Sequence, residues 1–92
     1  MTFEWDERKA ERNCAKHGVP FEYAARVFLD STRLDAGDDR RDYGEDRRIT
    51  LGLIEGRLYA VAYTRRASGI RLISARMANQ RERRQYDETL SA

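Results

Sequence analysis

Cysteine and histidine are nearly absent from this chain of 92 residues, which contains one of each, Cys14 and His17. A single cysteine excludes a disulfide within the chain, and one cysteine with one histidine excludes a Cys/His zinc site. A nuclease mechanism that uses two histidines is excluded for the same reason. Cys14 falls within a predicted helix, where we expect a small buried thiol and not a nucleophile. Because the sequence shows no cluster of metal ligands, we expect no metal and no other cofactor.

Long apolar runs are also missing. No stretch approaches the roughly 20 apolar residues of a membrane-spanning helix, and the first six residues do not resemble a signal peptide. Glycine-rich phosphate loops and dinucleotide-binding fingerprints are absent as well. Charged residues make up 37% of the chain and hydrophobic residues 40%, a balance that is typical of a small folded protein. We expect a single cytoplasmic domain over residues 1–92, with no membrane contact.

The positive charge is concentrated in the second half of the chain. Residues 1–46 carry eight basic and twelve acidic side chains, whereas residues 47–92 carry ten basic and four acidic ones. Arginine outnumbers lysine 16 to 2, and its planar guanidinium suits phosphate and carboxylate groups. A GC-rich codon usage would explain the ratio but not the clustering. The pattern therefore indicates a surface for a polyanion.

The residue pattern predicts three helices. The first is expected over residues 7–17, after the N-cap residue Asp6, and the second over residues 20–29. The second segment has apolar residues at helical spacing, which indicates a buried face. Residues 79–82 form a capping box that begins a last helix, expected over about residues 80–89.

Alternating apolar residues predict the strands. Short links between the strongest of these segments favour an antiparallel meander, which gives an α+β fold with two N-terminal helices packed on the meander and a C-terminal helix. The strands are expected near residues 2–5 and 32–35, and at residues 48–54, 57–65 and 70–76. The expected core contains Trp5, Phe21, Ala25, Phe28, Leu51, Leu53, Val61 and Ile73.

Arginines near the ends of the predicted strands are the candidate binding and catalytic groups. Arg71 and Arg76 flank the last strand, and Arg66 precedes the turn that leads to it. Arginine can stabilise the charged phosphorane that forms when a ribose 2′-hydroxyl of RNA attacks the adjacent phosphate. In a regular strand Arg71 and Arg76 would point to opposite faces. A bulge, or the strand end near residues 74–76, is needed to bring them together.

Taken together with other residues along the chain, these arginines give a sequence that resembles the BrnT family of bacterial type II toxins, which are RelE-like ribonucleases. The resemblance runs in order along nearly the whole chain. Its most specific pieces are Lys16-His17-Gly18 after the first helix and the run Ile73-Ser74-Ala75-Arg76. The other matching pieces are Phe3-Glu4-Trp5-Asp6, Asn13, Val19, Phe21-Glu22, Ala24, Val27-Phe28, Glu45, Arg47, Gly52, Tyr63-Thr64, Arg66, Ile70-Arg71-Leu72, and Arg81-Glu82-Arg83 with Tyr86.

The resemblance implies a RelE-like fold and RNA cleavage that arrests growth. It also implies neutralisation by a BrnA-like antitoxin that carries a ribbon-helix-helix DNA-binding part. Operator DNA would be bound only through the toxin–antitoxin complex, which represses its own promoter. The enzyme would be a metal-independent endoribonuclease.

Site residues are expected from the same resemblance. Arg71 and Arg76 would stabilise the phosphorane, and Arg66 would position the phosphate. The candidates for proton transfer would be His17, Glu45 and Tyr86, and substrate binding would involve Lys16 and Arg47. The clustering of arginines, and not the resemblance, adds Arg65 and Arg81 to the expected substrate-binding residues. The family commonly has an acid at position 65 and glycine at position 67. Arg65 and Ala67 therefore add charge and stiffness beside the expected site.

Two other classes of function fit the same residues. A non-catalytic nucleic-acid-binding module would use the arginines for phosphate contacts alone. A protein-interaction module would present the basic face to an acidic partner. RNA integrity after incubation with the purified protein, with and without an antitoxin, separates both classes from an endoribonuclease.

Overall fold

A computed structural model describes residues 1–38 and 46–91 of the chain. The strands in this part are β1 (Phe3–Glu4), β2 (Leu34–Gly37), β3 (Arg47–Ile54), β4 (Arg57–Arg66) and β5 (Gly69–Met77). The α-helices are α1 (Glu7–His17), α2 (Phe21–Ala24) and α3 (Gln80–Ser91), and a 3₁₀ helix (Ala25–Leu29) continues α2. Within these residues, none of the helices has the length and apolarity to cross a bilayer.

The strands form one mixed sheet in the order β1-β5-β4-β3-β2. The strands β2, β3, β4 and β5 pair antiparallel with their neighbours, whereas β1 pairs parallel with β5. The predicted α+β class and the antiparallel pairing of the strands β3, β4 and β5 are confirmed, but the parallel strand β1 makes the sheet as a whole mixed, which was not predicted. The link from β1 to β5 passes through most of the chain, so no tight turn forces the two strands to run in opposite directions.

The two faces of the sheet are covered unequally. One side, which we call the α1 face, packs against α1, α2 and the 3₁₀ helix, and its most deeply buried residues include Phe21, Val27, Val61, Tyr63 and Leu72. The other side, the α3 face, is covered by α3 through a smaller cluster of Leu51, Leu58, Ala60, Ala78 and Tyr86. The larger cluster supplies most of the hydrophobic stabilisation, since that term scales with the apolar area removed from water. Among the residues that the structure describes, α3 covers only part of this face.

A β-bulge interrupts β5 at Ile73. Ala62 pairs with Ser74 whereas Tyr63 pairs with Leu72, so Ile73 has no partner of its own on β4. Ile73 is half-buried at this bulge and does not join the core, contrary to the prediction. Beyond a bulge of one residue, every following side chain points to the face opposite to the one that a regular strand would give it.

The predicted core needs one further correction at Leu53. The side chain of Leu53 is exposed because it lies on the α3 face at the hairpin end of β3, paired with Leu58. Trp5 and Ala25 are half-buried and pack against the rim of the larger cluster. The remaining predicted core residues, Phe21, Phe28, Leu51 and Val61, are buried as expected.

The second predicted helix changes type at Ala25. Five residues of 3₁₀ helix replace the expected α-helical turns, so the apolar stripe loses its register and Leu29 is 83% exposed. The 3₁₀ segment lies very close to β3. A Cβ added at Gly52 would lie 2.9 Å from the Cβ and 2.9 Å from the carbonyl oxygen of Val27. Glycine at position 52 is therefore required by close packing.

Asn13 joins α1 to the edge of β5. Its side-chain amide accepts a hydrogen bond from the backbone N–H of Ala75 (3.0 Å) and donates to the carbonyl oxygen of Ala75 (2.9 Å). It also donates to the carbonyl oxygen of Val19 (3.2 Å). The amide thus satisfies the backbone groups of β5 at Ala75, where the two-residue strand β1 no longer pairs with that strand. Asn13 is the one buried residue of α1, and the prediction of a buried Cys14 thiol is wrong because that side chain is exposed.

Replacing Asn13 should destabilise the fold. Asn13→Ala leaves the buried N–H and C=O of Ala75 without their partner, so we expect the free energy of unfolding to fall by about 2–3 kcal/mol. Urea unfolding of the variant measures this loss. Glu11→Ala, an exposed position on the same helix, is the matched control and should change stability by less than about 0.5 kcal/mol. Equal stabilities of the two variants would show that the amide bonds contribute little.

Candidate functional site

The bulge at Ile73 places Arg71 and Arg76 on the same face of the sheet. Arg71 pairs with Thr64 and Arg76 pairs with Ala60, and directly paired residues point to the same side. Ala60 packs against Tyr86 on the α3 face, and Thr64 lies four residues further along β4, so both arginines belong to that face. The sequence pattern required either a bulge or the strand end near residues 74–76, and the structure has a bulge directly before Ser74.

Small side chains form the floor between the two arginines. Ala62 is paired with Ser74, and both lie with Ala60 and Ile49 around a shallow cavity of about 20 Å³ that Arg76 closes on one side. Between Arg71 and Arg76 on β5, the residue paired on this face is Ser74, which has a small side chain. An extended chain can therefore lie flat across this part of the sheet, and a compact ligand would not be enclosed.

Each of the two arginines is held by a glutamate. Arg76 makes two hydrogen bonds to Glu82 (2.7 and 3.0 Å), the bidentate arrangement that a guanidinium favours. Glu82 also accepts from the backbone N–H of Asn79 (2.9 Å), while its own N–H donates to the Asn79 side chain (2.8 Å). The predicted capping box is thereby confirmed. The carboxylate of Glu82 therefore caps the start of α3 and also holds Arg76.

Glu4 plays the corresponding part for Arg71. Arg71 donates to Glu4 over 3.2 Å, and the Ser68 hydroxyl donates to the same carboxylate. The Ser68 hydrogen bond and the charge of Arg71 lower the pKa of Glu4 below its usual value. Glu4 therefore stays ionised at neutral pH and keeps the Arg71 guanidinium near the sheet surface. Neither glutamate was among the predicted site residues. Their positions, opposite Arg71 in β1 and at the third residue of α3, were the available signals.

Two more predicted arginines belong to the same surface. Arg47, Thr64 and Arg71 form a row across β3, β4 and β5, since Thr64 pairs with both arginines. Arg66 lies two residues beyond Thr64 at the end of β4, so it points to the α3 face as well. We refer to Arg47, Arg66, Arg71 and Arg76 as the arginine surface. It concentrates positive charge on the open part of the α3 face.

The structure does not place the other predicted site residues in the arginine surface. Lys16 and His17 are exposed in the last turn of α1, which packs on the opposite side of the sheet. Arg65 precedes Arg66 and therefore points to the α1 face. Arg81 is exposed in the first turn of α3. Glu45 lies outside the residues that the structure describes.

Tyr86 is buried beneath α3, and its hydroxyl is hydrogen-bonded. It donates to Asp30 (2.7 Å) and lies 2.7 Å from the Thr32 hydroxyl. Burial raises the pKa of Tyr86, and the hydrogen bond to Asp30 raises it further. Burial also opposes ionisation of Asp30, but hydrogen bonds from the Leu53 N–H, Tyr86 and Thr32 outweigh it and lower the pKa of Asp30 to about 2. This cluster ties α3 to β3 and to the end of the 3₁₀ helix.

The Asp30 cluster predicts a pH-dependent stability. Because the pKa of Asp30 falls from 3.8 to about 2 on folding, its stabilisation is complete above about pH 4 and is lost as the pH falls through about 2. Asp30→Asn should lower the free energy of unfolding at neutral pH by on the order of 2 kcal/mol. The difference from the unsubstituted protein should shrink below about pH 4, as measured by urea unfolding across this range.

A matched control for this experiment is Asp87→Asn, which changes an exposed carboxylate on α3. Its effect should stay within about 0.5 kcal/mol at every pH. A difference for Asp30→Asn that does not change with pH would contradict the assignment of the stabilisation to the ionised carboxylate.

Comparison with known families gives a match for this chain. A family model described as "Ribonuclease toxin, BrnT, of type II toxin-antitoxin system" matches residues 5–82, which include β2 to β5, α1, α2 and the start of α3. A sequence search of curated proteins finds no match. The resemblance drawn from the sequence is confirmed by a match over most of the chain. The chain belongs to the BrnT family of ribonuclease toxins of type II toxin–antitoxin systems.

Proposed function

We propose that this chain cleaves RNA on the arginine surface, by attack of a ribose 2′-hydroxyl on the phosphorus of the adjacent phosphodiester. The new 2′-O–P bond replaces the P–O5′ bond. The 2′-hydroxyl gives up its proton, and the departing 5′-oxygen receives one. The products are a 2′,3′-cyclic phosphate, which water can open to a 3′-phosphate, and a 5′-hydroxyl. Membership of the family makes RNA the substrate class and an antitoxin the partner.

The observation that carries the proposal is the common face of Arg71 and Arg76. Along β5 their backbones are roughly 15 Å apart, a distance that two long side chains can close onto one phosphate from opposite sides. The phosphorane carries more negative charge than the ground-state phosphodiester, so two fixed guanidinium groups stabilise it selectively. Because arginines provide this charge, the reaction needs no metal ion.

The glutamates Glu4 and Glu82 support the same role. In the free protein they hold Arg71 and Arg76 in place and neutralise them. A phosphodiester that enters between the arginines takes over some of their hydrogen bonds. This exchange avoids the loss of side-chain freedom that binding would otherwise require.

The neighbouring basic residues are assigned to the path of the RNA. Arg66 and Arg47 lie on the same face as the scissile phosphate and would position it. Lys16 and Arg65 belong to the other side of the sheet, and Arg81 is exposed in the first turn of α3. We assign these three residues to phosphates further along the strand. Contacts of this kind give affinity with little sequence selectivity.

Proton transfer is assigned to the candidates that the resemblance provides. His17 and Glu45 carry groups that can act as a general base or acid. His17 lies in the last turn of α1, on the side of the sheet opposite to the arginine surface, which counts against it, so Glu45 is the candidate that we favour. Tyr86 is a weaker candidate, because its buried hydroxyl already donates to Asp30. We therefore expect Tyr86→Phe to affect stability more than the rate of cleavage.

The finer biological setting also belongs to the proposal. We propose a RelE-like arrangement of one domain over residues 1–92, acting in the cytoplasm to arrest growth. A BrnA-like antitoxin with a ribbon-helix-helix part would neutralise it, and the complex would bind operator DNA and repress its own promoter. The basic second half of the chain supports an acidic partner surface.

Single substitutions on the arginine surface test the mechanism. Arg71→Ala and Arg76→Ala should each lower the cleavage rate by about 10²–10³, the usual loss for one charge-stabilising group. Arg57→Ala, an exposed arginine at the opposite end of β4, is the matched control and should cleave at the unsubstituted rate. The rates are measured on RNA with and without an excess of a metal chelator, after circular dichroism has established that each variant folds.

A matched substrate with deoxyribose at the cut provides the second arm, and it should not be cleaved. If both arginine variants fold and cleave normally, the site lies elsewhere. Cleavage of the deoxyribose substrate would contradict attack by the 2′-hydroxyl. RNA that is bound and never cleaved would indicate a non-catalytic module.

A further inference from the structure

One end of the sheet carries two pairs of consecutive arginines. Arg47 and Arg48 begin β3, where Arg47 pairs with Thr64 and Arg48 pairs with Tyr63 of β4. Arg65 and Arg66 follow Thr64 directly and end β4. Successive residues of a strand point to opposite faces. Arg47 and Arg66 therefore belong to the arginine surface, whereas Arg48 and Arg65 point to the α1 face. Positive charge thus continues around the end of the sheet from one side to the other.

On the α1 face these side chains line a separate cavity. Arg48 and Arg65 meet Arg33, which comes from the segment before β2, around a space of about 300 Å³. Ser31 and Asp35 complete the lining among the residues that the structure describes. Three guanidinium groups face one carboxylate there, so this group of side chains has a net positive charge. The cavity is open to solvent and is formed mainly by polar groups.

Two of the three arginines are fixed in place. Arg48 donates to Asp35 over 2.6 Å, and the buried Tyr63 hydroxyl donates to the same carboxylate. Arg33 stacks over the ring of Phe28 at 5.3 Å and reaches the carbonyl oxygen of Phe28 with Nη1 (3.4 Å). The Nε of Arg33 is buried and has no hydrogen-bond partner in the described part of the chain. A buried donor of this kind is unfavourable unless a ligand supplies the acceptor.

We propose that the cavity of Arg33, Arg48 and Arg65 is a second phosphate subsite for the RNA strand. It would hold a backbone phosphate a few nucleotides from the cut, with the strand passing over the end of the sheet between Arg66 and Arg65. Fixed guanidinium groups with spare donors suit the oxygens of a phosphate. Ser31 adds a hydroxyl to the same set. This inference rests on the proposed function, since it names a further contact of the same substrate.

RNA is the favoured occupant because of this continuity. Arg65 and Arg66 are consecutive, so a strand that leaves the arginine surface at Arg66 meets Arg65 next. An acidic segment of the antitoxin offers carboxylates in place of phosphates, and the experiment below includes it as a separate outcome.

Binding of two lengths of RNA tests the proposal. A tetranucleotide and a dodecanucleotide, each with deoxyribose at the central linkage so that it is not cleaved by 2′-hydroxyl attack, are labelled and titrated with protein. Arg65→Ala should weaken binding of the dodecanucleotide by roughly five- to tenfold and leave the tetranucleotide unaffected. The slope of log Kd against log salt for the longer RNA should decrease by about 0.7, the value for one contact to a single strand.

Further variants keep the result interpretable. Arg65→Glu should weaken binding of the dodecanucleotide more than Arg65→Ala does, because the new carboxylate repels the phosphate. Arg33→Lys keeps the positive charge but loses the planar set of guanidinium donors, so it should weaken binding of the dodecanucleotide as well. Arg57→Ala, an exposed arginine at the other end of β4, is the matched control for general loss of charge and should leave both affinities unchanged.

The outcomes separate the subsite from the cleavage mechanism. Equal losses for the two lengths, or no loss for either, would overturn the subsite. A loss of affinity for the purified antitoxin without any loss for RNA would also overturn it and would assign the cavity to the antitoxin. A length-dependent loss in a protein that does not cleave unmodified RNA would leave the subsite standing and overturn the proposed reaction instead.

Discussion

The side-chain amide of Asn13 is the contact on which the site depends. It pairs with both backbone groups of Ala75 as a neighbouring strand would, at the second residue after the bulge at Ile73. Strand β1 pairs with β5 only at Ile70 and Arg71, so Asn13 holds the edge of the strand where β1 no longer reaches. A slip of β5 by one residue would reverse the direction of every side chain after the bulge. The position of Arg76 on the α3 face therefore rests on an amide that lies on the other side of the sheet.

One charged residue beside the arginine surface has both a structural role and a role at the candidate site. Glu82 begins α3 as part of its capping box and also fixes Arg76. The first turns of α3 contain Arg81, Arg83 and Arg84, an order that opposes the helix dipole. The capping box offsets part of that cost, and Tyr86 fastens the helix through Asp30. A helix that local charge order disfavours is thus held in place by one cap and one buried hydroxyl. Its basic side chains can then serve an anionic substrate.

Much of the fold follows from local sequence pattern, and the exceptions have physical causes. Alternation at residues 48–76 predicted β3, β4 and β5 to within two residues at each end, and the caps at Asp6 and Asn79 predicted the starts of α1 and α3. The 3₁₀ helix at Ala25 was missed because apolar spacing alone does not reveal the close approach of Val27 to Gly52. The parallel pairing of β1 with β5 was missed because it joins residues that are far apart in the chain. The exposure of Leu53 depends on how far α3 covers the sheet, which no local pattern indicates.

The site was predicted in part for the same reason. Arginine clustering and the family resemblance predicted Arg47, Arg66, Arg71 and Arg76 as candidates, which the structure brings to one face. The need for a bulge or a strand end between Arg71 and Arg76 followed from simple alternation. The partners Glu4 and Glu82 were missed because their contacts depend on strand pairing and on the helix cap. The separation of Arg65 from Arg66 could have been inferred from alternation, yet the cavity with Arg33 depends on where the segment before β2 passes.

The most direct test of the central claim is a double-mutant cycle for Arg71 and Arg76, with the rate of RNA cleavage as the measured quantity. If both guanidinium groups stabilise the same phosphorane, their contributions are coupled. The double variant Arg71→Ala/Arg76→Ala should then lose much less than the product of the two single losses. Strictly multiplicative losses would contradict a shared phosphate, since they would show that the two arginines act independently.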